Sequence, residues 1–158
     1  MPSTRNTSWN DDEQQTWLVL LRTLKAVQQH LAHDMQQESD LPIPWYDVLV
    51  TLYHFGGSQG SQGLSMQQLA SHIMMSSSGL TRLVDRMIKA DLLERQRADD
   101  RRVVRVLLTA KGKNTIETVM PQHQARVKAY VLQHLSRAEM HALQQRCQQM
   151  LEQLEGDN

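Results

Sequence analysis

The sequence predicts a mainly α protein carrying one small β-hairpin, with longer helical arms on either side of that unit. Three observations carry the prediction. Apolar residues recur at steps of three and four through six segments, the period shifts to two once, between Leu93 and Leu108, and capping or breaking residues punctuate each change.

In chain order, Trp17, Leu20, Leu21, Leu24, Val27, Leu31 and Met35 form one face of a long helix running from Asp11 to about Met35. Pro42 and Pro44 break the chain. Pro44 suits the first turn of a second helix through Val48, Leu49, Leu52, Tyr53 and Phe55, which Gly56-Gly57 ends. The stretch GSQGSQG, Gly57 to Gly63, offers nothing to pack and is expected to be a flexible connection. Ser65 and Gln68 make a capping box for a short third helix with Leu69, Ala70 and Ile73 inside.

Ser76 to Ser78 supply a new N-cap, and a fourth helix starts near Ser77. Its Leu80, Leu83, Val84, Met87 and Ile88 share one face, while Ser78, Thr81, Arg82, Asp85 and Lys89 point away. The alternation of Val104, Val106 and Leu108 marks a strand, Leu93 to Arg97 is its partner, and Ala98 to Arg102 form the tip between them. Thr109 caps a fifth helix, with a bend at Pro121 left open. Ser136 and Glu139 box a sixth that carries Met140, Leu143, Cys147, Met150, Leu151 and Leu154 on one stripe.

The division expected is a tail over residues 1–10, a central unit over 42–109, and helical arms over 11–37 and 110–155. The chain has 158 residues, enough for one domain plus an arm that associates with something. No apolar run approaches the roughly 20 residues that span a bilayer, so no membrane partner is expected and the cytoplasm is the expected location. The single cysteine, Cys147, excludes a disulfide framework within the chain.

Net charge is zero, which argues against a polyanionic partner until the distribution is read. From Ser76 to Lys113 ten basic residues meet five acidic ones, so the middle carries +5 and the rest −5. A short helix, a turn, a second helix and a hairpin make a winged helix-turn-helix, whose second helix enters the major groove of duplex DNA. Arg82 and Arg86 can reach guanine edges or phosphates. The bland alternative, solvated residues on a surface helix, is weakened by the hairpin RQRADDRRVVR, which places four arginines between Arg95 and Arg102. Arginine on a narrow tip suits the minor groove.

Residues Ala70 to Gly112 resemble the MarR family of transcription regulators. SSSGLTRLVDRMIKADLLER is similar to that family's recognition helix and first wing strand. DDRRVVRVLLTAKG is similar to its wing signature, at Asp100, Arg102, Val106, Leu108, Thr109 and Gly112. The resemblance implies major-groove contacts from Ser77, Thr81, Arg82 and Arg86 and a minor-groove contact from Arg102 steadied by Asp100. Ser78, Lys89, Arg95, Arg97 and Arg101 complete the candidate DNA-binding set. It also implies a homodimer held by the first, fifth and sixth helices, whose apolar faces the central unit could not cover, reading a pseudo-palindromic operator as a ligand-responsive repressor.

Trp17, His30, Trp45 and Tyr46 are candidates for a pocket that takes a small aromatic or phenolic effector, as relatives do, or else are core. His30, His33, His72 and His123 are not aligned as metal ligands, and no metal or cofactor is expected. Cys147 reads as a buried, inert thiol in preference to a redox switch. No nucleophile, base and oxyanion set appears, so no enzymatic activity is expected. The competing reading is a winged-helix module that binds protein and has lost DNA, against which the basic hairpin argues.

Overall fold

A computed structural model describes residues 8–73, 75–97 and 104–156 of the chain. Its helices are α1 (Asp11–Ser39), α2 (Ile43–Phe55), α3 (Met66–Ile73), α4 (Ser77–Lys89), α5 (Ala110–Tyr130) and α6 (Arg137–Gly156), with strands β1 (Leu64–Ser65), β2 (Leu93–Arg97) and β3 (Val104–Leu108). The six helices fall in the expected order. The hairpin is larger than expected, because β1 joins it: the antiparallel sheet runs β1-β3-β2, with Leu64 opposite Val106 and Leu93 opposite Leu108. A two-residue strand leaves no alternation to read, which is why the sequence did not reveal it.

One core lies between α2, α3, α4, the sheet and the first half of α5. Val48, Leu49, Leu52, Leu69, Leu80, Val84, Met87, Val106 and Ile116 are fully buried there, each burial being worth about 1.5–3 kcal/mol in transfer terms. The stripe on α4 accounts for four of the helix's thirteen residues buried outright: Leu80, Leu83, Val84 and Met87.

The Gly57 to Gly63 stretch is not the flexible connection its composition suggests. It folds back so that the amides of Gln62 and Gly63 donate to the Gly56 carbonyl at 2.7 and 2.9 Å, and Gly60 is buried. Its glycines are used for close approach: at Gly63 (φ +67°) a Cβ would lie 2.5 Å from the Val106 carbonyl oxygen. The loop is a seat for β3.

Helix ends follow their capping signals. Ser65 and Gln68 form the reciprocal box before α3 at 3.0 and 3.2 Å, and Ser136 with Glu139 does so before α6 at 2.8 and 3.3 Å. Hydrogen bonding to the Ser136 side chain and backbone also holds the Glu139 carboxyl below its usual pKa. Asn10, assigned to the N-terminal tail from sequence, instead caps α1 through a third box with Glu13. α1 then continues to Ser39, past Met35, and closes on Asp40 in the left-handed region. α5 is unbroken across Pro121.

The arms are nearly bare. In α1 only Met35 is buried, and Trp17, Leu18, Val19, Leu20 and Leu24 are exposed; in α6 so are Leu143, Met150, Leu151 and Leu154. α1 is held to α5 at its far end, where Arg126 pairs with Glu38 and with Asp34 (3.6 Å) and Tyr130 donates to Asp34.

Candidate nucleic-acid interface

α3 ends at Ile73 and α4 begins at Ser77, with the Ser76 hydroxyl accepting the Gly79 amide at 3.3 Å to cap the second helix. The apolar stripe of α4 faces the core, so its opposite face turns outward. Ser77, Ser78, Thr81, Arg82, Arg86 and Lys89 are all exposed on it. The Thr81 hydroxyl donates to the Ser77 carbonyl at 2.8 Å, which leaves its methyl and lone pairs outward. These hydroxyls sit at the N-terminus of the helix, where negative charge is favoured.

β2 runs beside α4. Leu93 is buried against the core, and by strand alternation Arg95 and Arg97 lie on the same side as Leu93, toward the helix. Arg95 pairs with Asp85 of α4 at 2.8 Å, so this guanidinium is already engaged. The basic count of the middle segment is thus larger than the charge left free to meet a partner. Arg105 donates to the Gly63 carbonyl at 3.3 Å, and Lys111 donates to the Ala90 carbonyl at 2.8 Å, where it finishes α4. Composition cannot report such internal commitments. Asp100, Arg101 and Arg102, the expected tip of the wing, lie outside the described residues.

The pocket residues are not gathered. Trp17 lines an open cavity of about 540 Å³ with Trp9, Asn10, Asp12, Glu13, Thr16 and Leu20, which contains none of the other three. His30 packs against Tyr130 with ring centroids 5.7 Å apart, Trp45 packs on the core, and Tyr46 meets His123 at 4.3 Å. Burial, with Asp47 nearby, pushes the Tyr46 hydroxyl up to about 12, and burial lowers the His123 pKa. The helical period located each of these residues on a helix but not which helix would face it.

Cys147, expected buried, is exposed on the single chain, as are Leu143, Met150, Leu151 and Leu154 of the same α6 stripe. Among the described residues no group of three potential ligands gathers for a metal, and no helix is long and apolar enough to cross a membrane.

Residues 39–102 match the MarR family. The chain is 30% identical over 112 residues to the HTH-type transcriptional regulator MhqR of Bacillus subtilis (strain 168), spanning 70% of this chain and 72% of that protein. Its fold superposes on AbsC, a MarR family transcriptional regulator from Streptomyces coelicolor, with a TM-score of 0.87 and 30% identity, over 95% of this chain and 99% of that one. Sco3205, another MarR family regulator from Streptomyces coelicolor, solved in complex with DNA, aligns with a TM-score of 0.85 and 22% identity over 96% of this chain and 92% of that one.

Proposed function

The chain belongs to the MarR family of transcriptional regulators, and we propose that it works as a homodimeric repressor that reads a pseudo-palindromic operator and releases it on binding a small effector. It is a DNA-binding regulator of winged-helix type. The observation that carries the reading is the outward face of α4, where three hydroxyls and three cations stand exposed together beside β2.

In this reading α4 enters the major groove. Ser77 and Ser78 meet phosphate at its start, Thr81, Arg82 and Arg86 reach base edges, and Lys89 returns to the backbone. Arg97 carries the contact onto the wing, and Arg101 and Arg102, with Asp100 steadying the second, complete it in the minor groove.

The second copy is supported by the arms. α1 and α6 carry exposed tryptophan, leucine and methionine side chains that a soluble monomer would not leave bare over such lengths. A two-fold dimer would bury them and set two α4 helices about one duplex turn apart. A small aromatic or phenolic effector is supported by the ring contacts that α5 makes with α1 and with α2, Tyr130 on His30 and His123 on Tyr46. The cytoplasm, where the chromosome lies in bacteria, is the location consistent with this role.

The test is selection of duplexes from a random pool by the full chain, followed by anisotropy on the selected sequence and on scrambled DNA. A selected inverted repeat with at least about a thousandfold preference is expected. Equal binding to both duplexes would refute sequence reading.

A further inference from the structure

Asp85 occupies the middle of the face that α4 turns outward. At 100° per residue it falls between Thr81 and Lys89 and beside Ser78 and Arg82. A carboxylate there opposes any polyanion that Arg82, Arg86 and Lys89 attract. It does not stand bare, because Arg95 of β2 meets its Oδ1 at 2.8 Å. The sheet delivers that arginine: Leu93 is anchored in the core, Arg95 follows on the same side of the strand, and Val106 pairs with it from β3. With side chains 39% and 45% exposed the pair adds little to stability. Its geometry nevertheless links the two elements that must meet adjacent grooves together.

On the reading that this chain binds duplex DNA through α4 and the hairpin, which this inference requires, we infer that Arg95 is a positioning residue and not a DNA contact. It acts through Asp85, by cancelling a carboxylate at the centre of the groove-facing surface and by fixing the angle between α4 and β2. The remaining outward cations do the contacting. Arg95 therefore leaves the set of DNA ligands in which its charge alone would place it, and Asp85 enters the interface as a residue whose effect depends on its partner.

The experiment is a double-mutant cycle on the full-length protein and its selected duplex, read as affinity across a salt series for wild type, Arg95→Ala, Asp85→Ala and the double variant. Arg95→Ala is expected to weaken binding about tenfold in the wild-type background and less than about twofold once Asp85 is alanine. The log–log salt slope should hold in both, since the same phosphates stay neutralised. Arg95→Lys, which keeps the charge, should retain most of the affinity, and it serves as the second variant if Arg95→Ala unfolds. Losses that multiply across the cycle, or a slope flattened by about 0.9 per subunit on removing Arg95, overturn the inference and make Arg95 a phosphate contact. Wild-type protein that prefers no duplex overturns the DNA reading and this inference together, whereas wild-type binding with multiplying losses overturns this inference alone.

Discussion

The hydroxyl of Thr109 donates to the Asp91 carbonyl at 2.7 Å and at the same time accepts the Gly112 amide at 3.0 Å. Asp91 lies in the left-handed region (φ 59°) just past the end of α4, so one threonine ties the start of α5 to the turn that closes the candidate recognition helix. The Thr109 amide adds a bond to the Leu92 carbonyl at 3.2 Å. The long helix leading toward the arms is thereby fixed to the reading head.

Gly112 makes that junction possible. A Cβ there would lie 2.0 Å from the Leu92 carbonyl oxygen, a backbone atom that cannot swing aside. Inside a helix, Gly→Ala ordinarily stabilises by about 1 kcal/mol; here the clash should reverse the sign. Gly112→Ala is expected to destabilise by about 1–3 kcal/mol in urea denaturation. An unchanged or higher midpoint would show that α5 shifts freely on α4.

This junction also shows what was legible in the sequence. Thr109 and Gly112 were visible as part of a motif, and helical periods and caps located the six α-helices, because these signals are local. Contacts between elements were not. Nothing near Arg95 in sequence points to Asp85, nothing in GSQGSQG announces that Gly63 must lie under the Val106 carbonyl, and nothing in the helical periods separates Trp17 of α1 from Tyr46 of α2 in space. Helical period says which side chains share a face, whereas packing decides what that face meets.

His123 should make stability depend on pH. Its ring is half-buried against Tyr46, and burial depresses its pKa, so the folded state prefers the neutral form. A base whose folded pKa lies below its unfolded value, about 6.5, contributes stability that is present above that value and lost as pH falls through the folded pKa. Between pH 7.5 and 5.5 the melting temperature should fall less in His123→Gln than in wild type. Parallel curves for the two proteins would show that His123 does not contribute.

The arms should decide assembly. Trp17 and Leu24 on α1, and Leu143 and Leu154 on α6, stay exposed in the single chain at 46%, 53%, 46% and 68%. Sedimentation of the full chain at micromolar concentration is expected to give a dimer. Removing residues 1–35 or 138–158 should give monomer or aggregate. A well-folded full-length monomer would remove the support for a two-fold reader.

Base reading should be separable from phosphate contact on α4. Arg86 is exposed on the outward face, and Thr81 offers its methyl there because its hydroxyl proton is held by Ser77. Arg86→Ala or Thr81→Ala should cost about 1–3 kcal/mol on the selected operator and less on random DNA. Equal losses on both would make them backbone contacts.

The wing gives the sharpest test, because there charge and the orienting role proposed for Asp100 predict opposite signs. If Arg102 enters the minor groove while Arg101 and Arg97 neutralise phosphates beside it, binding releases counterions with a log–log salt slope near −0.9 per neutralised phosphate. Arg101→Ala should then weaken binding alike on all sequences and flatten the slope by about one unit for each phosphate left without its arginine, counting both subunits. Arg102→Ala should cost more, with a loss that grows with A·T content where the wing lands, because narrow grooves attract arginine most. Asp100→Ala removes a negative charge, so simple electrostatics predicts tighter binding. If Asp100 steadies Arg102, the variant should instead bind more weakly, as a milder Arg102→Ala. Tighter binding by Asp100→Ala would reduce the wing to diffuse positive charge and leave sequence reading to α4.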